Sequence, residues 1–272
     1  MDSRPKDGGL VALLGLPTDV NSSHVRGASS GPEHIRSALW SGASNLTSES
    51  GVDLGVPGLW RDAGDLALKE DALDRIRIEE AIRGHVQAGT RVLAFGGDHS
   101  VTYPILRGLA SEAPAFSILH IDAHPDLYDE FEGNRYSHAC PFARIMEERL
   151  ARRLVQVGIR TLNAHQAEQA KRFGVEMVTM PDFDPARVPV PDGPLYVTVD
   201  LDGLDPAFAP GVAHREPGGL TFREVLSILR RVEGPVIGAD IVELVPSLDP
   251  SGMTATVAAR LAKELAALML RT

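Results

Sequence analysis

The sequence contains a single cysteine, Cys140, among its 272 residues. No intrachain disulfide can therefore form, which excludes a small disulfide-stapled fold and is typical of a reducing compartment. No apolar stretch approaches the roughly 20 residues that cross a bilayer, and the apolar runs at 10–16 and 115–121 have the length of buried strands. No apolar signal region follows the polar residues 1–6, so we expect a cytoplasmic location and no membrane partner.

Positive charge is also scarce. The chain has 27 Lys and Arg residues against 37 Asp and Glu residues, which gives a formal net charge of −10. Binding to nucleic acid needs clustered positive charge, so we expect no nucleic acid partner. A metal ion or a small cationic ligand suits this composition better. The hydrophobic fraction of 43% indicates an ordinary globular protein.

Short apolar runs alternate with longer helix-like runs along the chain. Strands are predicted at 10–16, 91–95, 116–122, 154–159, 175–180, 195–202 and 236–245. Helices are predicted at 32–40, 72–88, 102–110, 138–152, 164–173, 222–232 and 253–270. This alternation predicts an α/β fold with three layers, α/β/α, around a mostly parallel sheet. Segment 41–69 is expected to be irregular surface structure, and without a clear break in composition we expect a single domain over 1–272.

Acidic and histidine side chains follow three of the predicted strands, in the sequences Gly-Gly-Asp-His-Ser, Asp-Ala-His-Pro-Asp and Asp-Leu-Asp. The six candidate metal ligands are His99, Asp122, His124, Asp126, Asp200 and Asp202. Ligands of an open parallel sheet bind beyond the C-terminal ends of its strands, so these residues should meet. Residues two apart in an extended chain point to the same side, which groups Asp122 with His124 and Asp200 with Asp202.

The chemistry of this set points to a metal. Two imidazoles and four carboxylates combine nitrogen with hard oxygen donors, which suits Mn²⁺ better than a thiolate-preferring metal. Four carboxylates at one site repel one another unless cations are present. A lone Asp often only closes a turn and a lone His is often a core residue, but three such motifs at parallel strand ends favour a metal site. His120 faces away from Ile121 and has two interpretations, a residue that supports a ligand or a core residue, and core packing is favoured because the sequence names no hydrogen-bond partner for it.

The three motifs resemble the signatures of the ureohydrolase family, the arginases and agmatinases, and the resemblance covers nearly the whole chain. Among the family, the sequence most resembles plant-type arginases, and the resemblance is carried by the segments 126–138, 151–160 and 205–211. The resemblance implies an arginase-like fold, two Mn²⁺ ions per subunit and a homotrimer or homohexamer. It also implies one ion held by His99, Asp122, Asp126 and Asp200 and another by Asp122, His124, Asp200 and Asp202, with Asp122 and Asp200 bridging.

The same resemblance implies the chemistry. Two cations that share a water lower its pKa, so that hydroxide can attack a guanidinium carbon near neutral pH. His138 matches the family's acid/base histidine, which supplies a proton to the departing amine. Glu243 matches the carboxylate that pairs with the guanidinium of the substrate. Asp126 is implied to help in relaying a proton while it is bound to metal.

Substrate choice depends on the distal contacts. Asn163 matches the asparagine of plant-type arginases at a position that contacts the substrate α-amino group, and Asn134 lies in the stretch that faces the α-carboxylate. His214 is a candidate contact to the distal end, with loop packing as the alternative. These residues favour a small cationic guanidino substrate, L-arginine, which would give L-ornithine and urea.

Three alternatives stay open. One is an agmatinase, which converts agmatine to putrescine and urea. Another is a related hydrolase of guanidinobutyrate, guanidine or formiminoglutamate, and formiminoglutamate would need positive charge from Arg135 or Arg215. The third, of a different class, is a metal-stabilised protein without catalytic turnover.

Overall fold

The computed structural model describes residues 10–271. Within this range eight strands form one sheet, and every neighbouring pair of strands is parallel. The strands are β1 (Val11–Leu16), β2 (Trp60–Asp65), β3 (Arg91–Gly96), β4 (Ser117–Ile121), β5 (Arg153–Ile159), β6 (Glu176–Thr179), β7 (Leu195–Asp200) and β8 (Val236–Val242). Their order across the sheet is β2-β1-β3-β8-β7-β4-β5-β6. The four central strands of the sheet are therefore β3, β8, β7 and β4, side by side in that order.

In the same range, seven α-helices cover both faces of the sheet. They are α1 (Gly31–Leu39), α2 (Asp74–Gln87), α3 (Thr102–Ala110), α4 (Pro141–Glu147), α5 (Ala164–Phe173), α6 (Phe222–Arg230) and α7 (Met253–Met269). Helices α1, α6 and α7 pack on one face, and α2, α3, α4 and α5 pack on the other. The predicted three-layer α/β/α architecture is confirmed. None of these described helices is both long and apolar enough to cross a bilayer.

The central strands are buried on both faces. In β3, Leu93 and Phe95 join one hydrophobic layer, while Val92 and Ala94 join the other. This alternation arises because successive side chains of a strand point to opposite faces of the sheet. Both faces are covered by helices, which explains why the strands of the sequence appear as nearly continuous apolar runs.

Two segments differ from the prediction by more than a few residues at an end. Strand β2 lies inside segment 41–69, which was predicted to be irregular, and it pairs with β1 at the edge of the sheet. Its sequence, Trp-Arg-Asp-Ala-Gly-Asp, lacks an apolar alternation because an edge strand is largely exposed. The helix predicted at 138–152 is only α4, since Pro141 occupies its first turn and Arg149 beyond its end has a left-handed φ of 55°.

Candidate metal centre and active site

The six predicted ligands converge beyond the carboxyl ends of β3, β7 and β4. His99 follows β3, Asp122 follows β4, and Asp200 is the last residue of β7. Asp202 lies in the 3-10 turn Leu201–Gly203 rather than in an extended strand, so strand alternation is not what directs it. The Asp200 side chain instead accepts a hydrogen bond from the backbone nitrogen of Asp202 (2.8 Å), which shapes the turn.

The first group of ligand atoms surrounds His99, whose side chain is almost completely buried. Its Nδ1 atom lies 3.1 Å from Oδ2 of Asp122, 3.1 Å from Oδ2 of Asp126 and 3.2 Å from Oδ2 of Asp200. Within residues 10–271 this nitrogen makes no well-aligned hydrogen bond, although three carboxylates face it. One nitrogen and three oxygens arranged in this way fit a divalent cation, whose charge would offset that of the carboxylates.

The second group adjoins the first through Asp122. The Nδ1 atom of His124 lies 3.1 Å from Oδ2 of Asp202 and 3.4 Å from Oδ1 of Asp122. Asp122 therefore turns one oxygen toward each group, Oδ2 toward His99 and Oδ1 toward His124. A carboxylate placed in this way can hold two neighbouring metal ions.

Burial and mutual repulsion act on these carboxylates. Burial, together with the negative charge of Asp122, raises the pKa of Asp126 to about 7. Burial also raises the pKa of Asp202 to about 6, although the neighbouring His124 opposes that rise. Ionised carboxylates are thus destabilised here unless positive charge compensates them. The electrostatics therefore favour bound cations.

His120 is hydrogen-bonded to a carboxylate of the first group, so the supporting role applies rather than the core packing that the sequence favoured. Its Nε2 atom lies 2.7 Å from Oδ2 of Asp122, and its Nδ1 atom lies 3.0 Å from Nε2 of Gln156. Gln156 Nε2 also donates to the carbonyl of Pro125 (2.6 Å), which identifies it as the amide nitrogen. Nδ1 of His120 must then accept, and Nε2 must donate to Asp122. The hydrogen bond orients the carboxylate.

A second chain of buried hydrogen bonds orients His99. Its Nε2 atom lies 3.0 Å from Oγ1 of Thr198, which in turn donates to Oδ1 of Asp240 (2.5 Å). Tyr196 and Thr102 donate to Oδ2 of the same carboxylate, at 2.7 Å and 2.8 Å. Because the Thr198 hydroxyl donates its proton to Asp240, it accepts a hydrogen bond from Nε2 of His99, and Nδ1 is left to face the carboxylates as a candidate metal ligand.

His138 and Glu243 form a buried pair beside the ligands. Nδ1 of His138 lies 2.8 Å from Oε1 of Glu243, and the same oxygen accepts a hydrogen bond from the backbone nitrogen of His99 (2.8 Å). Burial alone would lower the pKa of His138, but the charge of Glu243 outweighs it and raises this pKa to about 9. His138 lies in the loop before α4, not at the start of a helix as predicted.

Two of these residues have a strained backbone. Asp126 has a φ of 51° and Glu243 has a φ of 66°, in the left-handed region that non-glycine residues rarely occupy. The backbone nitrogen of Glu243 donates to the carbonyl of Gly97 (2.8 Å), which ties the end of β8 to the end of β3. Strain of this kind persists where the surrounding structure enforces it, often at functional sites.

A cavity of about 190 Å³ opens beside the His138–Glu243 pair. Its wall includes both of these residues and four of the ligands, together with Tyr128, Phe131 and His214. His214 lies among three other histidines, with ring centroids 5.5 Å from His24, 5.6 Å from His124 and 5.5 Å from His138. Burial, then the charges of His138 and His124, lower the pKa of His214 to about 4. His214 is therefore neutral near pH 7.

Asn163 and Asn134 make hydrogen bonds that shape the surroundings of the cavity. Asn163 Oδ1 accepts from the backbone nitrogen of Gln166 (2.9 Å) and caps α5, while its Nδ2 donates to the Tyr128 hydroxyl (2.5 Å). Asn134 Nδ2 donates to Oδ1 of Asn21 (3.0 Å). Among the described residues, neither asparagine belongs to the cavity wall, although Tyr128 does.

A parallel sheet with histidine and carboxylate ligands at its carboxyl edge defines the class of α/β metalloproteins. A sequence model described as "Arginase family" matches residues 10–268, so the chain belongs to the arginase family, a family of metalloenzymes. Arginase 1, mitochondrial, of Arabidopsis thaliana is 46% identical over 274 residues, which are 94% of this chain and 80% of the plant protein.

Solved structures share the fold. An arginase from Medicago truncatula superimposes with a TM-score of 0.91 at 42% identity, over 97% of this chain and 89% of that one. A hypothetical agmatinase from Burkholderia thailandensis has a TM-score of 0.85 at 32% identity, over 98% and 87% of the two chains. The predicted resemblance to the ureohydrolases and the arginase-like fold are both confirmed.

The predicted cytoplasmic location is wrong by comparison with the relatives. Several plant relatives, the Arabidopsis protein among them, are named as mitochondrial or chloroplastic. The prediction depended on a single cysteine and on the polarity of residues 1–6. Neither feature distinguishes the cytoplasm from the interior of an organelle, because a lone cysteine excludes an intrachain disulfide in both.

Proposed function

We propose that the chain hydrolyses L-arginine to L-ornithine and urea at a centre of two Mn²⁺ ions. The observation that carries the proposal is the cavity in which the His138–Glu243 pair lies beside two adjoining groups of metal ligands. The family and the plant arginases at 43–46% identity support arginine as the substrate.

The first ion would be held by His99, Asp122, Asp126 and Asp200, and the second by Asp122, His124, Asp200 and Asp202. The oxygen-rich donor set, with one imidazole in each group, fits Mn²⁺. Metal ions in such a centre lower the pKa of water, so hydroxide is available to attack the guanidinium carbon. Asp126 would accept a proton from this water while it remains a ligand.

Glu243 would bind and orient the guanidinium. Oε1 of Glu243 is held by the backbone nitrogen of His99 and by His138, so we assign Oε2 to the substrate. A charge-assisted pair between a carboxylate and a guanidinium is short and directional. It would hold the guanidinium carbon next to the metal centre while the other end of the substrate extends along the cavity.

His138 would supply the proton on which departure of the amine depends. As the bond between the guanidinium carbon and the side-chain nitrogen breaks, that nitrogen keeps the electron pair and needs a proton to leave as a neutral amine. The carboxylate of Glu243 keeps His138 in its protonated form at neutral pH, because it raises the pKa of the imidazole to about 9.

His214 would contact the substrate directly, and Asn163 and Asn134 would act on the cavity through other residues. His214 lines the cavity, and as a neutral imidazole it offers one hydrogen-bond donor and one acceptor. Asn163 would position Tyr128, because it donates a hydrogen bond to the Tyr128 hydroxyl, and Tyr128 in the cavity wall would contact the substrate. Asn134 would act through Asn21, whose carbonyl accepts a hydrogen bond from the backbone of His138.

The agmatinase alternative shares this centre and differs only at the distal end. Formiminoglutamate fits less well, because the two arginines considered for its carboxylates are engaged elsewhere. Arg135 pairs with Asp129 and Glu147, and Arg215 donates to the carbonyls of Pro210 and Leu248. The position of the His138–Glu243 pair at the cavity favours turnover over a non-catalytic role.

The test is urea release from arginine and from agmatine, measured side by side with protein loaded with Mn²⁺ and with a chelated control. We expect turnover of arginine only, lost on chelation and in Glu243→Gln, and retained in Glu168→Gln, which changes an exposed glutamate of α5. Turnover of agmatine alone would overturn the substrate. No turnover of either compound, with two equivalents of metal bound, would favour the non-catalytic alternative.

We further propose that the chain assembles as a homotrimer or homohexamer, as the ureohydrolase resemblance implies. Helix α7 is buried against α1, β3 and β8 of the same chain, so its apolar faces do not themselves call for a partner. Light scattering coupled to size-exclusion chromatography would test the assembly, and a monomer at micromolar concentration would overturn it.

A further inference from the structure

The imidazole of His138 is bound at both of its nitrogens. Nδ1 faces Glu243, as described above, and Nε2 faces Ser23 in the loop between β1 and α1. The hydroxyl of Ser23 lies 2.8 Å from Nε2, and the backbone nitrogen of Ser23 donates to Nε2 at 3.1 Å. Ser23 and His138 both line the cavity. Glu243 occupies Nδ1, so Nε2 is the nitrogen at which the ring gains or loses its second proton.

The loop that carries Ser23 is fixed at its base. The backbone nitrogen of Asn21 donates to Oδ2 of the buried Asp98 (2.9 Å), and Asn21 Nδ2 donates to the hydroxyl of Ser100 (3.0 Å). The carbonyl of Asn21 accepts a hydrogen bond from the backbone nitrogen of His138 (3.1 Å). Asp98 and Ser100 flank the ligand His99 in the Gly-Gly-Asp-His-Ser motif. One residue, Asn21, thus joins the metal-binding strand end to the loop that carries His138.

We propose that Ser23 is a positioning residue for His138, which holds Nε2 of the imidazole in both of its protonation states. A hydroxyl can donate a hydrogen bond or accept one. When Nε2 is unprotonated, the backbone nitrogen and the hydroxyl of Ser23 can both donate to it. When Nε2 carries a proton, only the hydroxyl oxygen can accept, because the backbone N–H has no acceptor to offer. The inference depends on the proposed role of His138 as proton donor.

Other charged groups near His138 also affect the pKa of its ring. The carboxylates of Glu243, Asp98 and Asp126 favour the protonated ring, whereas the neighbouring imidazole of His214, 5.5 Å away between ring centroids, is neutral near pH 7. None of these groups can both accept a hydrogen bond from protonated Nε2 and donate one to unprotonated Nε2, as the Ser23 hydroxyl can at 2.8 Å. Removal of the Ser23 hydroxyl should therefore weaken the protonated form selectively, since the neutral form keeps the backbone donor.

The experiment compares Ser23→Ala with Ser23→Thr, which restores a hydroxyl, in the enzyme loaded with Mn²⁺. Ser22→Ala is the matched control, because the Ser22 hydroxyl lies 3.5 Å from Asp98 rather than on His138. We expect Ser23→Ala to lower kcat about tenfold, the usual effect of losing one hydrogen bond to a charged group, with KM within about twofold of the parent. The alkaline limb of the kcat profile should move to lower pH, and Ser23→Thr should recover most of kcat.

Two outcomes separate this inference from the proposed function. If His138→Ala abolishes turnover but Ser23→Ala leaves kcat and its pH profile unchanged, the role of Ser23 is overturned and that of His138 stands. If the parent enzyme releases no urea, the Ser23 contact is tested by nuclear magnetic resonance, which follows the titration of His138 in histidine-labelled protein loaded with diamagnetic Mg²⁺. The His138 signal, assigned from its loss in His138→Ala, should titrate at lower pH in Ser23→Ala. An unchanged titration would overturn the inference.

Discussion

Nε2 of His120 donates a hydrogen bond to Oδ2 of Asp122, the carboxylate that adjoins both groups of ligands. We predict that His120→Phe, which keeps an aromatic ring against Phe142, weakens metal binding about 10-fold to 100-fold. The reason is that Asp122 loses the hydrogen bond that orients it. Calorimetric titration of the metal-free protein with Mn²⁺ measures the affinity. His34→Phe, on the exposed part of α1, is the control, and equal affinities in the two variants would refute the positioning role.

A second prediction concerns the distal end of the cavity. Burial and two neighbouring histidines keep the pKa of His214 near 4, so this residue can offer substrate only uncharged hydrogen bonds. Loss of one such bond costs about 0.5–1.5 kcal/mol, so His214→Ala should raise KM for arginine about 2-fold to 10-fold while kcat changes little. Steady-state kinetics at pH 8 measure both constants. A fall in kcat with unchanged KM would instead place His214 in the chemical step.

The convergence of the six candidate ligands could be predicted from sequence because each follows an apolar strand in a short motif. His99, Asp122 and Asp200 stand directly at or just beyond the ends of β3, β4 and β7, where parallel strands bring their loops to one edge. Apolar runs were enough to locate every described strand except the exposed edge strand β2, since burial on both faces leaves continuous apolar runs. Asp200 and Asp202 were expected to point the same way because they are two apart in an extended strand. That reason was wrong, since Asp202 lies in a 3-10 turn that sets its direction.

Contacts that depend on register between distant strands could not be predicted. Thr198 meets Asp240 because β7 and β8 pair with these residues opposite each other, and no local pattern encodes that register. The hydrogen bond between His120 and Gln156 has the same origin, in the pairing of β4 with β5. A buried His, Thr, Gln or Asp within an apolar strand is the available signal, since such a group must find a partner.

The His138–Glu243 pair should make stability depend on pH. In the folded protein Glu243 raises the pKa of His138 to about 9, above its unfolded value near 6.5. The pair therefore stabilises the fold fully below pH 6.5, and the contribution is lost as pH rises through 9. We predict that Glu243→Gln costs about 1–3 kcal/mol more at pH 6 than at pH 10 in metal-free protein. Urea denaturation at both values, with Glu168→Gln as control, measures this, and an equal cost at both would contradict the ion pair.

Two chain segments approach each other closely at Gly97, which follows β3, and Thr18, which follows β1. A Cβ atom added at Gly97 would lie 1.7 Å from the carbonyl oxygen of Thr18, a contact that only movement of the backbone could relieve. Gly97 also accepts the hydrogen bond from the backbone nitrogen of Glu243, so such a movement would reach the site itself. We expect Gly97→Ala to lower the free energy of unfolding by about 3 kcal/mol and to weaken metal binding.

Gly84, in the interior of α2, provides a matched control of opposite sign. Nothing lies within 4 Å of a Cβ atom added there, so Gly84→Ala should stabilise the protein by about 0.5–1 kcal/mol through helix propensity. Urea denaturation and titration with Mn²⁺ measure both variants. If Gly97→Ala unfolds at the same urea concentration as Gly84→Ala, then β3 and the loop after β1 can separate without cost. The strand end that carries His99 would in that case be held by its hydrogen bonds and not by packing of the backbone.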